Sequence, residues 1–419
     1  MILTSLALVL LAVLGAPLFA IIGAGALLGF SRAEVDLTAV PIEIYGIAET
    51  PILLAIPLFT FAGYVLSESR AAARLVRLSA ALIGWLPGGL AMVAVATCSL
   101  FTAFTGGSGV TIIAIGALLF PALIQAGYGE RFTLGLVTSS GSLGLLFAPS
   151  LPLIIYGIIA EVSIDSLFVA GVVPGILMML ALAAFCLWRN RENRRPLADF
   201  SWREVRAAVR ESIWELPLPI VVLGGIYSGY FAVSEAAAVT VVYVLVVELL
   251  IYREVPWNRL TAIVRDSMVL VGGILLILGI SLASTNYMID AQVPQKLIEL
   301  VTRYISSQTS FLLLLICFLL LIGCILHIFS ALVLVVPLML PVAAQYGVDP
   351  VHLGIIFVAT MELGYLLPPI GLNLYISSYR FNRPVLDVCL ATVPFILILF
   401  GAVLLITFVP SLSLMFVKQ

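Results

Sequence analysis

The chain contains 419 residues, of which 63% are hydrophobic and 10% are charged, and its formal net charge is −2. A composition this apolar lies far outside the range of soluble domains. Apolar runs of roughly 20 residues, long enough to cross a bilayer, occur about nine or ten times. The composition therefore predicts an all-α polytopic membrane protein without a large soluble domain, and we expect no nucleic-acid partner.

The first 30 residues are apolar and lack both the basic leader and the cleavage site of a secretory signal. We expect a retained membrane segment, either one long span or two short ones, and that choice decides the side on which Met1 lies. The cysteines lie in apolar segments without metal-ligand spacing, which is typical of packing residues. They are Cys98, Cys186, Cys317, Cys324 and Cys389.

Basic residues cluster in four places, within 70–77, 189–210, 253–265 and 380–383. The positive-inside rule predicts that all four clusters are cytoplasmic. The predicted single crossings place every cluster on that side. They are 51–68, 132–157, 167–188, 215–231, 232–252, 267–287, 351–378 and 389–411.

Two further apolar stretches, about 88–126 and about 308–347, each begin and end on one side of the membrane in this count. Each has a non-helical interruption near its middle, as FTGGSG in the first and HIFS in the second. We predict two re-entrant helical hairpins that enter from opposite sides. Each follows a segment with amphipathic spacing, 70–86 and 294–307, which we expect to lie along the membrane surface.

The stretch MELGYLLPPIGLN, residues 361–373, cannot form a regular helix. It carries Gly364, Pro368, Pro369 and Gly371, and proline removes a backbone donor and clashes with the preceding turn. In a membrane the carbonyl groups released in this way need another partner. The pattern predicts a broken helix.

The same pattern occurs earlier, in GSLGLLFAPSLPL, residues 141–153. Gly364 and Pro369 lie 220 positions after Gly144 and Pro149, so the two halves share one plan. We predict two inverted-topology repeats. The first repeat is 1–188, with a broken helix at about 132–157; a cytoplasmic basic linker occupies 189–214; the second repeat is 215–419, with a broken helix at about 351–378.

Broken helices expose carbonyl groups at one end and amides at the other, which suit a small cation and an anionic group respectively. We expect the sites where each hairpin tip meets a broken helix, and the neutral oxygen ligands there favour Na⁺ over a transition metal. The alternative is that these small residues only allow close helix packing. The predicted cation-binding residues are Gly106, Ser108, Gly109, Ser140, Gly141, Gly144, Phe329, Ser330, Thr360, Gly364 and Pro368. The predicted substrate-binding residues are Thr105, Ser108, Thr111, Ser142, Pro149, Pro369 and Asn373.

Three ionisable residues lie within or beside apolar spans. His327 and Glu362 are candidates for coupling, because a charge in a membrane is costly and often marks a pathway. The alternatives are that His327 caps a backbone end at the hairpin tip, and that Glu362 faces a loop or accepts from backbone amides. Glu235 begins a predicted helix and is expected to cap its first turn. No lysine or arginine lies inside a span as a counter-charge, so recognition is expected to rest on amides and hydroxyls.

The chain has neither a phosphate-binding GxxxxGK[ST] motif nor a soluble domain that could hold one, which excludes ATP-driven transport by this chain alone. Metalloprotease spacing and a serine nucleophile elbow are also missing from the sequence. We therefore do not expect an enzyme, and we expect no cofactor and no metal other than Na⁺ as a coupling ion.

The chain resembles the large membrane subunit of tripartite ATP-independent periplasmic (TRAP) transporters of the dicarboxylate type, and the likeness covers nearly its whole length. Motifs such as APSLPLIIYG and PPIGLN occur in the family's order and with its spacing. The stretches that carry the resemblance are TGGSGVTIIAIGALLFPALIQAGY, SGSLGLLFAPSLPLIIYGIIAEVSIDSLFVAGVVPG, SGYFAVSEAAAVTVVYVLVV and MELGYLLPPIGLNLYISS.

The resemblance implies an elevator-type, Na⁺-coupled importer of small organic acids, a dicarboxylate or a related carboxylate, in the bacterial inner membrane. It also implies two partners, a separate small four-helix membrane subunit and a soluble periplasmic binding protein that delivers the substrate.

The chain departs from the family pattern near both predicted cation sites. Gly109 and Val110 replace a Pro-Ala pair in the first tip, and His327 stands where an aspartate is common in the second. Ala148 and Leu367 replace a proline and a threonine before the two proline breaks. The Na⁺ stoichiometry is therefore open, and partial proton coupling through His327 is a hypothesis that uptake under separate Na⁺ and pH gradients would test.

Two other functions remain open from the residues alone. A stand-alone ion-coupled carboxylate carrier would need no binding protein, whereas a passive channel would need no ion gradient. Paired hairpins of opposite insertion favour alternating access over an open pore.

Overall fold

The computed structural model describes residues 8, 10–11, 14–86, 88–191 and 199–417, and none of these residues forms a strand. Among them, seven helices are long and apolar enough to cross a membrane, or up to nine if each of two bent helix pairs is one span. The prediction of an all-α polytopic membrane protein is confirmed. Most of the first half of the predicted N-terminal membrane segment, including Met1, lies outside the described residues. Residues 192–198 of the predicted linker also lie outside them.

Between residues 14 and 191, the described part of the first half contains nine α-helices and two short 3₁₀ segments, Pro51–Leu54 and Leu143–Leu146. The helices are α1 (Leu18–Arg32), α2 (Ala39–Ala48), α3 (Ala55–Glu68), α4 (Ala71–Ile83), α5 (Gly89–Thr105), α6 (Ser108–Gln125), α7 (Glu130–Ser140), α8 (Leu151–Ala160) and α9 (Ile164–Arg189).

Residues 199–417 contain eleven α-helices and one π-helical segment, Val246–Ile251. The helices are α10 (Trp202–Glu211), α11 (Pro217–Tyr227), α12 (Val233–Leu245), α13 (Trp257–Asp290), α14 (Val293–Tyr304), α15 (Gln308–Gly323), α16 (Ile328–Gln345), α17 (Pro350–Gly364), α18 (Leu372–Phe381), α19 (Val385–Phe408) and α20 (Ser411–Leu414).

Both predicted hairpins correspond to pairs of helices, the first interrupted within the predicted FTGGSG and the second three residues before the predicted HIFS, of which Ile328, Phe329 and Ser330 are helical. Helices α5 and α6 are separated by Gly106 and Gly107, and α15 and α16 by residues 324–327. In each pair the two helices contact one another. Gly106 has a φ of +66°, a left-handed conformation that glycine adopts without the steric cost of a side chain.

Both predicted broken helices are interrupted. Helices α7 and α8 are joined through the 3₁₀ segment Leu143–Leu146 with a bend of 43°, and α17 and α18 are separated by residues 365–371. Each break contains a cis peptide bond, Ala148–Pro149 in the first and Pro368–Pro369 in the second.

The two halves also repeat a close helix contact. A Cβ atom added to Gly144 would lie 2.6 Å from the backbone nitrogen of Ala103 in α5, and one added to Gly364 would lie 2.6 Å from Cα of Gly323 in α15. The contacting positions are 220 residues apart in both partners. Each broken helix therefore packs its backbone directly against the first helix of the hairpin in its own half.

The helices around the breaks form the most enclosed part of the molecule. Residues 133–140 of α7 and 352–364 of α17 are all buried. A second group of helices lies beside them, in which α1, α2 and α3 pack against α13, and α3 also packs against α12. The two groups meet at small residues, since Gly63 of α3 lies against the backbone of Phe104 and Thr105.

Helix α13 is longer than the predicted span 267–287. It begins at Trp257 and contains Arg259 and Arg265, two residues of the predicted cytoplasmic cluster 253–265. A helix satisfies its own backbone groups in water as well as in lipid, so it continues past the membrane boundary that hydropathy detects. The predicted first-turn cap by Glu235 is confirmed, because its Oε2 accepts from the Ala232 amide at 2.9 Å.

Helix α4 carries a buried ion cluster that the sequence reading missed. Arg74 is only 3% exposed and pairs with Glu215, with Glu254 at 2.6 Å and with Glu248 at 3.2 Å. The ring of Tyr252 covers the guanidinium group at 4.0 Å. Burial raises the pKa of Glu215, and the positive charge of Arg74 opposes that effect. The cluster fixes α4 to the segments around α11 and α12.

Candidate functional site

The tips of the two hairpins face one shared cavity of about 150 Å³. The first tip contributes residues 105–110 and the second contributes His327, Ile328 and Phe329. The two breaks contribute Leu145 and Leu151 from the first and Tyr365 and Leu372 from the second, and Tyr64 of α3 and Leu270 of α13 complete the lining. Residues more than 200 positions apart are thus brought to one place.

Four helices begin at this cavity. The first residues of α6, α8, α16 and α18 are Ser108, Leu151, Ile328 and Leu372, and all four line it. The first amides of a helix lack intrahelical partners and carry the positive end of its dipole. Their convergence creates a positive electrostatic environment without a charged side chain. Indeed, the described lining residues include no lysine, arginine, aspartate or glutamate.

At the first tip, backbone N–H groups without a side-chain cap lie beside a buried side-chain amide. No side chain caps the N-terminus of α6, so the amides of its first turn face the cavity region without a side-chain partner. The hydroxyl of Ser108 donates to Oδ1 of Asn373 at 2.8 Å, which joins the first hairpin to α18. Asn373 is fully buried, and within the described chain its Nδ2 has no hydrogen-bond partner.

A set of neutral oxygen atoms lies directly behind this tip, around Thr102. Its hydroxyl is 2.6 Å from Oγ1 of Thr111, 2.7 Å from the carbonyl oxygen of Gly141 and 2.8 Å from that of Cys98. One hydroxyl hydrogen can serve only one of these acceptors. Neutral, buried, hard oxygen atoms at this density form a donor set that suits an alkali cation. Ser139, on the adjacent α7, has a buried hydroxyl with no partner among the described residues.

The second tip is arranged differently, because its own side chains occupy its backbone donors. The Ile328 amide donates to the hydroxyl of Tyr365 at 2.6 Å, and the Phe329 amide donates to Nδ1 of His327 at 3.4 Å. The alternative role considered for His327, capping a backbone end at the tip, is therefore observed. The first tip remains the more open of the two.

The cavity gathers some of the residues predicted for the site and not others. Thr105, Gly106, Ser108, Gly109, His327 and Phe329 line it. Thr111 and Gly141 lie behind the first tip through their bonds to Thr102. Gly144 and Gly364 pack against the hairpins as described above. The remaining predicted residues lie outside the described lining: Ser140, Ser142, Pro149, Ser330, Thr360, Pro368, Pro369 and Asn373.

Glu362 is buried in α17, with 1% of its surface exposed, and does not line the cavity. Neither carboxyl oxygen has a hydrogen-bond partner among the described residues. Burying a polar group without a hydrogen-bond partner costs free energy. Its role in coupling stays a prediction.

Sequence reasoning missed two groups at the site. Thr102 bonds to a carbonyl four residues earlier, as many threonines in helices do, so its sequence context gave no signal. The sequence analysis assigns no role to Tyr365, which lies just before PPIGLN. A tyrosine beside a broken helix can nevertheless supply a hydroxyl to a free backbone amide.

A larger groove of about 360 Å³ between α14, α15 and α16 is lined by apolar side chains alone and is not a polar site.

The fold is similar to that of a known transporter. A solved structure, the crystal structure of the Alcanivorax borkumensis YdaH transporter, aligns with a TM-score of 0.63 over 89% of this chain and 88% of that chain, at 14% identity. At that identity the likeness supports the fold alone.

Sequence relatives are closer. The C4-dicarboxylate TRAP transporter large permease protein DctM of Pseudomonas aeruginosa is 34% identical over 393 residues, which is 94% of this chain and 92% of the relative. The ectoine/5-hydroxyectoine TRAP transporter large permease protein UehC of Ruegeria pomeroyi is 32% identical and covers 98% and 96% of the two chains. The family model for the DctM component of tripartite ATP-independent periplasmic transporters matches residues 2–412. The chain therefore belongs to the DctM family of TRAP transporter large permeases, which are transporters and not enzymes.

Proposed function

We propose that this permease imports a small organic anion through the bacterial inner membrane, coupled to Na⁺. Its partners in the proposal are a separate small membrane subunit and a soluble periplasmic protein that delivers the substrate. The observation that carries the proposal is the convergence of four helix N-termini on the cavity between the hairpin tips.

The cavity favours an anion for an electrostatic reason. Each helix N-terminus carries roughly half a positive charge, and enclosed surroundings strengthen its attraction for a negative group. The open first turn of α6, with the hydroxyl of Ser108 and the buried amide of Asn373 beside it, is the place for a carboxylate. Pro149, Pro369 and Ser142 contribute to substrate binding in this proposal by determining the shape of the two breaks.

The coupling cation belongs behind the first tip, at the oxygen atoms of Thr102, Thr111 and Gly141. A cation bound there would join hairpin and broken helix, because the three residues come from α5, α6 and the end of α7. Substrate and cation would then stabilise the same arrangement of the first tip, which is what coupling requires.

The proposed transport cycle is of the elevator type, with two repeats of inverted topology. It is supported by the recurring order of surface helix, hairpin, broken helix and long helix in both halves. It is also supported by the packing of α1, α2, α3, α12 and α13 as a group beside the hairpins and broken helices, which this group contacts through α3 and α13. At this boundary Gly63 of α3 lies against the backbone of the first tip.

The names of the two relatives agree with a small polar substrate, since one carries C4-dicarboxylates and the other ectoines. Both names describe a large permease of a TRAP transporter, which is the basis for proposing the two partner proteins. A stand-alone carrier or a passive channel has no observation in its favour here.

Replacing Thr102 with valine tests the cation site. Valine keeps the shape of the side chain and removes its hydroxyl. We therefore expect the Na⁺ concentration for half-maximal uptake to rise about tenfold or more. This corresponds to the loss of a buried polar interaction of about 1–3 kcal/mol. Na⁺-dependent uptake in reconstituted vesicles measures it.

Thr240→Val is the matched control, because Thr240 is also buried and its hydroxyl bonds only within α12, to the Ala236 carbonyl at 2.7 Å. The control should keep the wild-type Na⁺ dependence. Equal Na⁺ dependence in Thr102→Val and wild type would remove Thr102 from the cation site.

A further inference from the structure

Among the described residues of the second hairpin tip that line the cavity, His327 is the one whose side chain can donate a hydrogen bond into it. The amides of Ile328 and Phe329 are already bonded, to Tyr365 and to Nδ1 of His327. Because Nδ1 accepts a hydrogen bond, the neutral ring carries its hydrogen on Nε2. The side chain is exposed and lines the cavity.

The imidazole ring is held in place by its neighbours. Its centroid lies 4.9 Å from that of Phe329 and 5.9 Å from that of Tyr365. With Nδ1 fixed to the Phe329 amide, the ring has little freedom to turn. The Nε2–H group is therefore a positioned donor, on the opposite hairpin from Ser108.

We propose that His327 determines substrate specificity by donating its Nε2–H to a second acceptor group of the substrate, whose carboxylate lies at the N-terminus of α6. This inference rests on the proposed function and narrows its substrate class. The substrate is a compact organic acid with two acceptor groups, such as a diacid, a hydroxy acid or a keto acid. A cationic group is disfavoured, because no acidic side chain is among the described lining residues.

The size of the cavity indicates the scale of the acid. A volume of about 150 Å³ equals that of the engineered protein cavity that holds benzene, a molecule of six heavy atoms. Acids with about four carbon atoms are therefore the right scale for two tips to contact at once.

Two substitutions separate the donor role of His327 from its capping role. In His327→Asn the side-chain oxygen can still accept from the Phe329 amide, but the side chain is too short to reach the position of Nε2. In His327→Gln the amide nitrogen reaches the position of Nε2, but the cap is lost. His327→Asn therefore keeps the capping function of the histidine, and His327→Gln keeps its donor function.

The test is binding to the purified permease with its small subunit in Na⁺, with succinate, malate, 2-oxobutyrate and butyrate as probes. Butyrate is the matched acid without a second acceptor group. We expect wild type to bind at least one of the other three acids about tenfold or more tightly than butyrate, the size of one hydrogen bond to a charged or polar partner. His327→Gln should keep most of that preference and His327→Asn should lose it.

The inference is overturned if His327→Asn keeps the preference while His327→Gln loses it, which would leave only a capping role. It is also overturned if neither variant changes the preference, or if wild type binds butyrate as well as the other acids. Failure of wild type to bind any acid in a Na⁺-dependent manner would instead contradict the proposed function. Melting temperatures of both variants, measured without ligand, report the cost of the lost cap separately.

Discussion

Arg74→Ala is expected to destabilise the permease by about 3–5 kcal/mol, the usual cost of removing one partner from a buried ion pair. Arg74 is the only cation recorded beside Glu215, Glu248 and Glu254 in the described chain, and Glu248 is fully buried. Without the guanidinium group, these carboxylates would face one another without compensation. Because the cluster fixes α4 ahead of the first hairpin, uptake should fall together with stability.

Thermal unfolding of the purified protein in detergent measures the effect, with Arg77→Ala as the matched control. Arg77 lies on the same helix and pairs with Glu204 and Glu211, but it is 45% exposed. Exposed pairs contribute about 0–1 kcal/mol, so the control should unfold close to wild type. Arg74→Met combined with Glu248→Gln should recover part of the loss. Equal melting temperatures for Arg74→Ala and Arg77→Ala would show that the buried cluster is not a stabilising element.

Gly144→Ala should destabilise the first broken helix by about 1–3 kcal/mol or more and abolish uptake, as overpacking of a tight interior does. The added methyl group would meet the carbonyl oxygen of Ser99, and would lie 2.5 Å from Cβ of Thr102 and 2.6 Å from the Ala103 nitrogen. Backbone atoms cannot move aside as a flexible side chain can. The same displacement would pull Thr102 away from Gly141, so the cation site should be lost with the packing.

Gly364→Ala is the corresponding change in the second half, where the methyl group would lie 2.6 Å from Cα of Gly323. It should impair folding and uptake to a similar degree. Gly272→Ala is the control, because no atom lies within 4 Å of the added methyl group in the middle of α13 and alanine favours a helix. Melting temperature and uptake should both be near wild type for the control. Normal uptake by Gly144→Ala would contradict direct packing of the break on the hairpin.

The breaks and the hairpin tips were predictable from the sequence because proline and glycine leave a signal that apolar surroundings cannot hide. Pro149, Pro368 and Pro369 lack the amide that a continuous helix requires, and the interruption at Gly106 and Gly107 separates two strongly apolar segments. The first interruption and both proline breaks lie within the predicted stretches, whereas the second interruption, at 324–327, begins three residues before the predicted HIFS.

The contacts that build the cavity were not predictable in the same way. The bond from Ser108 to Asn373 spans 265 residues of sequence, and the bond from Ile328 to Tyr365 depends on how the second break turns. A hydroxyl or amide has no sequence periodicity of its own. Such contacts follow from the packing of one half against the other.

The burial of Arg74 was predictable from the sequence, but its partners were not. It shares the buried stripe of α4 with Ala71, Leu75 and Leu78, at the spacing of one helical face. An arginine on an apolar stripe indicates a buried partner. The positive-inside rule uses Arg74 only as one of the basic residues that mark the cytoplasmic side. Its three partners could not be named, because they come from segments more than 140 positions away.

Uptake into vesicles that contain the permease and its small membrane subunit tests the central claim most directly. The vesicles should accumulate a small organic acid above its external concentration only when both an inward Na⁺ gradient and the soluble binding protein loaded with that acid are supplied. Omission of either should abolish accumulation, and Thr102→Val should shift its Na⁺ dependence. Accumulation that persists without Na⁺ or without the binding protein, or flux that never saturates, would contradict the account.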